Sequence, residues 1–160
     1  MIDIEGFGYM VKPELIDLNI DVDNEDELFD YVGERLKTLN YVNDGYIGAI
    51  KEREKKYPTG LKAEKITLAV PHVDSKYIAR PFVFIGKTKR PIAIKQMAIN
   101  SDMKTDNFCF LGIKDGKGQA GLLKNIIYAL RDDKFIDSIA NANDNTKIFN
   151  IYVEFLDKKN

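Results

Sequence analysis

One cysteine and one histidine stand among 160 residues, and charge of neither sign dominates, with 24 Lys plus Arg against 25 Asp plus Glu. The lone thiol, Cys109, excludes an intramolecular disulfide and any zinc site assembled from several thiolates. The lone imidazole, His72, excludes a two-histidine site. A formal net charge of −1 gives no general attraction for nucleic acid, so a nucleic-acid reader is not expected. No apolar run approaches the length of a bilayer span, and Met1-Ile2-Asp3-Ile4-Glu5 lacks the basic and apolar regions of a signal peptide. A cytoplasmic location without membrane insertion is therefore expected. Carboxylates are plentiful, yet none form the spaced pair that glycosidase or metal chemistry needs, and neither a metal nor a cofactor is expected.

What is present is an ordinary globular composition, 44% hydrophobic and 31% charged, with no low-complexity stretch and no internal repeat. The length fits one domain over residues 1–160. Pro13 interrupts any early helix, and Asp17 to Ile20 reads as a short strand or an extended lead-in. Asn24 followed three residues later by Glu27 forms a capping-box-like start, and Leu28, Val32, Leu36 and Leu39 then recur at helical spacing. A second helix opens at Asn43-Asp44 and ends near Tyr57, because Pro58 biases the residue before it away from helical geometry. Ile66 to Val70 is short, apolar and bounded by breakers, so it reads as a buried strand that Pro71 terminates.

Further along, Phe82 to Ile85 and Pro91 to Ile94 read as two short strands joined by Gly86-Lys87-Thr88-Lys89-Arg90, a basic, solvated hairpin loop with docking to an acidic partner as a lesser possibility. Asn107 to Ile113 is a strand compatible with burial on both faces. After Lys114-Asp115-Gly116-Lys117-Gly118 comes a helix from about Gln119 to Arg131, then helical stretches over Asp133 to Asn141 and Thr146 to Leu156. The last of these is open between helix and strand, since Ile148 to Phe155 is β-branched and aromatic. The interleaving predicts an α/β sandwich, a mixed sheet flanked by helices, with sites gathered at strand carboxyl ends.

His72 falls at such an end. Its side chain alone titrates near neutrality when unperturbed, so it is the natural place to seek nucleophilic or proton-transfer chemistry. A histidine after a strand is by itself more often a hydrogen-bonded structural residue. Its company points elsewhere. Phosphoryl transfer to an imidazole needs one ring nitrogen free, the other fixed, and donors that neutralise the transferred charge. Arg53 can supply an always-charged bidentate fork and Thr59 a hydroxyl.

Arg53-Glu54, then Pro58-Thr59-Gly60-Leu61, then Leu68-Ala69-Val70-Pro71-His72 resembles the active-site stretch of the enzyme IIA domains of the fructose-mannitol class (type 2) in the bacterial sugar phosphotransferase system. The similarity is dense over about Ala49 to Ser75. It implies that His72 is the phosphoryl acceptor, through Nε2, that Arg53 stabilises the phosphoryl charge, and that Thr59 assists as a hydroxyl donor. It implies the phosphocarrier HPr and a IIB component as partners, with a IIC permease reached indirectly. Many members carry a second histidine before the last long helix; here Lys117 or Gln119 occupies that neighbourhood, and Gln119 becomes a candidate of the site loop. The galactitol-like branch also lacks that histidine, and Tyr57-Pro58-Thr59-Gly60 resembles its aromatic-Pro-Thr-Gly turn.

Two rival features carry less. Gly116-x-Gly118-x-x-Gly121 matches the dinucleotide fingerprint, yet no convincing strand with an acidic ribose partner follows. Cys109 lies between phenylalanines in mid-strand, where burial raises a thiol's pKa, and it reads as core. Two functions remain in view: a phosphohistidine carrier passing its group to a IIB cysteine, or a regulatory module whose His72 phosphorylation controls binding to a regulator or transporter.

Overall fold

Successive side chains of a strand point to opposite faces, and along Phe82-Val83-Phe84-Ile85 and Phe108-Cys109-Phe110-Leu111 both sets are buried. In the computed structural model, which describes residues 7–157, these segments belong to the two central strands of a five-stranded mixed sheet. The strands are β1 (Val11–Ile20), β2 (Gly60–Lys62), β3 (Thr67–Ala69), β4 (Phe82–Lys95) and β5 (Asp102–Gly112), in the order β1-β4-β5-β3-β2. β1 runs parallel to β4 and β3 parallel to β5, whereas β4–β5 and β2–β3 are antiparallel.

Helices α1 (Glu25–Thr38) and α2 (Tyr46–Lys56) cover one face. Leu28, Val32, Leu36 and Ile50 pack there against Phe82, Phe84, Phe108 and Phe110. Helices α3 (Gly116–Ala129), α4 (Asp133–Asn141) and α5 (Asn145–Leu156) cover the other. Leu122, Ile126, Phe135, Tyr152 and Phe155 meet Val83, Ile85, Cys109 and Leu111 on that side. The expected sandwich is thus the observed one. The α1 start also follows the sequence signal: Glu27 N donates to Asn24 Oδ1 at 2.9 Å. The reciprocal backbone bond slips by one residue: Glu27 Oε1 accepts from Asp23 N at 3.0 Å rather than from the cap's own amide, while Oε2 accepts from Asn24 Nδ2 at 3.4 Å.

Two readings of the sheet need correction. The lead-in at Asp17 is the end of a ten-residue edge strand, which tolerates Pro13 through a register shift between Val11 and Ile16. The basic hairpin loop does not exist. Gly86 to Arg90 lies within the continuous β4, whose pairing with β5 shifts between Lys87 and Ile92, where Pro91 has no amide to donate. Thr88 is buried there, with Oγ1 donating to Arg90 O at 2.6 Å, and Arg90 is paired at 2.7 Å with both Asp21 and Asp23 rather than free for a partner. The true hairpin joins β4 to β5 through residues 96–101, where Ala98 (φ 69°) and Asn100 (φ 57°) take left-handed backbone. The open reading of the last segment resolves to helix, capped by Asp144, which accepts from Lys147 N at 2.9 Å.

Candidate functional site

The backbone leaving β3 positions the histidine. Val70 N donates to Thr59 O at 3.3 Å, and Leu111 N donates to Pro71 O at 3.0 Å, so the chain is clamped on both sides just before His72. His72 then bridges Leu111 at the carboxyl end of the sheet's parallel β3–β5 pair. Its Nδ1 lies 2.7 Å from Val70 O. A carbonyl can only accept, so Nδ1 carries the hydrogen and Nε2 keeps its lone pair. Burial holds the imidazole pKa below its ordinary value; the Val70 contact opposes that shift and the positive charge of Arg53 reinforces it. The ring is therefore neutral and nucleophilic at physiological pH.

Arg53 stands in the last turn of α2, whose C-cap is Tyr57. Nη1 donates to Asp74 Oδ1 at 3.3 Å, and the guanidinium carbon lies 5.4 Å from the Tyr57 ring centroid. Nε is buried without a hydrogen-bond partner. An always-charged donor with one orphaned N–H is poised to receive an anion.

Thr59 is buried, at 2% exposure, and its hydroxyl is committed: Oγ1 donates to Glu54 Oε1 at 3.0 Å and its amide donates to Glu54 Oε2 at 2.8 Å. Glu54 lies on the buried stripe of α2 with Tyr46 and Ile50, at spacings of four residues, and is only 5% exposed. Burial pushes its carboxyl up to about 7, against the opposing pull of the two Thr59 bonds and of Arg53. Glu25, at the start of α1, is also pushed up to about 7, by burial and then by the Glu54 charge. A continuous relay of contacts thus runs from Glu54 through Thr59 and Val70 to the His72 ring. Sequence reasoning placed Glu54 beside Arg53 but gave it no task, and it missed Asp74 altogether. The i, i+4, i+8 stripe Tyr46-Ile50-Glu54 was the signal for the first; nothing in the spacing marked the second.

The structure gathers His72, Arg53 and Thr59, and leaves Gln119 more loosely placed. Among the described residues no hydrogen bond joins Gln119 or Lys117 to His72; both lie on the first turn of α3, which begins shortly after β5 passes His72. The loop expected before that helix is itself helical from Gly116. Asp115 caps it, accepting from Gly118 N at 2.6 Å, so the glycine-rich motif lies inside a capped helix rather than in a cradle for phosphates. Cys109 is fully buried, and burial pushes its thiol up to about 12. Among the described residues no group of three or more His, Cys, Asp or Glu is placed to hold a metal, and no helix is long and apolar enough to cross a membrane.

Comparison with known proteins agrees with this geometry. The family model for the phosphoenolpyruvate-dependent sugar phosphotransferase system, EIIA 2, matches residues 10–154. The galactitol-specific EIIA component of the phosphotransferase system of Escherichia coli (strain K12) is 19% identical over 113 residues, which is 71% of this chain and 75% of that protein. In the solved complex of enzyme IIAMTL and phosphorylated enzyme IIBMTL from Escherichia coli, a chain superposes with a TM-score of 0.71 at 19% identity, covering 90% of this chain and 99% of that one. The nitrogen regulatory protein IIA-Ntr from Neisseria meningitidis superposes with a TM-score of 0.71 at 16% identity, covering 91% and 97%.

Proposed function

Because the chain belongs to the phosphoenolpyruvate-dependent sugar phosphotransferase system EIIA 2 family, we propose that it is a phosphohistidine carrier: His72 accepts a phosphoryl group from phosphorylated HPr and delivers it to a cysteine of a IIB component. A IIC permease is served indirectly, and the work is done in the cytoplasm. The observation that carries this reading is the 2.7 Å contact of His72 Nδ1 with Val70 O, which leaves Nε2 as the free nucleophile.

In the first step Nε2 attacks phosphorus, the bond from phosphorus to the donor imidazole breaks, and its electron pair returns to the donor ring. His72 keeps the Nδ1 proton, and the resulting cationic ring is stabilised by the Val70 carbonyl. In the second step a IIB thiolate attacks phosphorus and the pair returns to Nε2. Arg53 neutralises charge on the transferred group, and its unpartnered Nε supports that role. Thr59 acts as a hydroxyl donor when Glu54 is protonated: the acid proton then goes to Thr59 Oγ1 and frees the hydroxyl hydrogen. Gln119, or Lys117 beside it, closes the site from the first turn of α3.

A second reading is favoured by the fold shared with a nitrogen regulatory protein. There His72 phosphorylation would control binding to a regulator or transporter instead of supplying a IIB cysteine. The test begins with enzyme I, HPr and labelled phosphoenolpyruvate. Acid-labile label on the parent and none on His72→Gln is the expected result; an unlabelled parent, or label persisting in the variant, sinks the carrier reading. Adding a cognate IIB then separates the two functions, since a regulator fails to pass the label on.

A further inference from the structure

Arg53 meets a carboxylate before any phosphoryl group arrives. Its Nη1 donates to Asp74 Oδ1 at 3.3 Å, and Asp74 lies two residues beyond His72 on the same segment. That segment is anchored. Val73 is buried, Tyr77 N donates to Asp74 O at 3.2 Å, and Asn43 Nδ2 donates to Lys76 O at 2.9 Å. The aspartate main chain is thus fixed, while its side chain is 68% exposed and can turn to water once released.

We propose that Asp74 is the resident counter-ion of Arg53, exchanged for the phosphoryl group on His72, and that it thereby sets how tightly that group is held. The proposal rests on the reading of His72 as acceptor and Arg53 as its cation. A phosphoryl group carries between about one and two negative charges at neutral pH and competes with a single carboxylate for the same guanidinium. Asp74 weakens the phosphorylated form twice over, by occupying Arg53 and by presenting like charge on the same loop. Both effects favour release. A carrier that held its group without this competition would accept it readily and hand it on slowly. Asp74 touches Arg53 and not the reacting atoms, so it is a positioning residue.

The test equilibrates Asp74→Asn and the parent with HPr and phospho-HPr and measures the phosphorylated fraction of each. The equilibrium constant is expected to move about two- to fivefold toward phosphorylated His72, as loss of an exposed ion pair implies, with slower onward transfer to IIB. Asp74→Glu returns the constant toward the parent's, and Asp74→Ser gives the asparagine result should that variant fail to fold. The sign is decisive, because a merely structural role would lower phosphorylation rather than raise it. An unchanged or reduced equilibrium constant, or an Asp74→Glu protein indistinguishable from Asp74→Asn, overturns the proposal. A parent that takes no label on His72 instead overturns the reading beneath it, so the two failures are distinguishable.

Discussion

Cys109 and His72 are the two lone nucleophile types of this chain, and they lie close in the same sheet: Cys109 pairs across to Ile85, while His72 bridges Leu111, two residues further along β5. The thiol is sealed between the layers, where burial drives its pKa up to about 12. The imidazole, only partly covered, has one nitrogen fixed by a carbonyl and a cation within electrostatic reach. Two residues of register separate a sealed thiol from a partly covered imidazole whose Nδ1 alone is engaged by the backbone. Reactivity here is decided by where a strand ends and what its last carbonyl does, and the intrinsic nucleophilicity of sulfur over nitrogen counts for nothing in the core.

The contrast can be broken outright by exchanging which group is lost. His72→Gln is expected to abolish labelling by phospho-HPr, whereas Cys109→Ala keeps it and costs only stability, about 1 kcal/mol for a small buried side chain. Labelling that depends on Cys109 would end the comparison. Next in size is Arg53→Lys, which keeps a positive charge but removes the planar fork. Phosphoryl transfer is expected to slow about 10- to 100-fold, measured by quench-flow with phospho-HPr, while the melting temperature stays near the parent's.

A smaller effect comes from the buried acid behind the site. Glu54 has a folded-state pKa near 7 against an ordinary 4.5, so the folded chain binds more protons than the unfolded one between those values. Its contribution to stability is complete below about pH 4.5 and is lost as pH rises through about 7. Urea midpoints at pH 5 and pH 8 are expected to differ accordingly, and Glu54→Gln should flatten the difference while Glu25 leaves a residue of it. The smallest shift is that of His72 itself. Its ring titration, followed by NMR, is expected below 6.5, and Arg53→Met should move the midpoint upward because one cause of the depression is gone. A midpoint above 6.5 in the parent contradicts the partly buried, neutral ring.

Much of this was legible in the order of residues. The α1 cap, the breaker at Pro58, the strand ended by Pro71 and the placement of His72 all follow from local rules that the tertiary structure leaves in force. The reading failed where tertiary pairing outweighed local signals. Gly86 to Arg90 has the composition of a turn, but the partner strand β5 carries it straight through, with Thr88 buried and Arg90 satisfied by two aspartates. At the site, Arg53, Thr59 and His72 were visible as types at suggestive spacings. The commitment of the Thr59 hydroxyl to Glu54 and the hold of Asp74 on Arg53 were not, because each is a pairing choice among several nearby partners that only coordinates resolve.

The clamp that holds the chain before His72 also fixes when the site can exist. β4 and β5 are neighbours in sequence and pair along almost their whole length, so they can meet early at little loop-closure cost. The Leu111 N to Pro71 O bond and the Ala69–Phe108 pairing instead join segments separated by about forty residues of chain, across a three-residue strand. The histidine site is expected to assemble last on folding and to open first in the native state. Hydrogen exchange should show it as a faster amide at Leu111 than at Phe110, whose amide points to the opposite edge of β5, toward Phe84 of β4. On the carrier reading proposed above, the part of the molecule that admits two partners in turn is then also the part least firmly woven into the sheet.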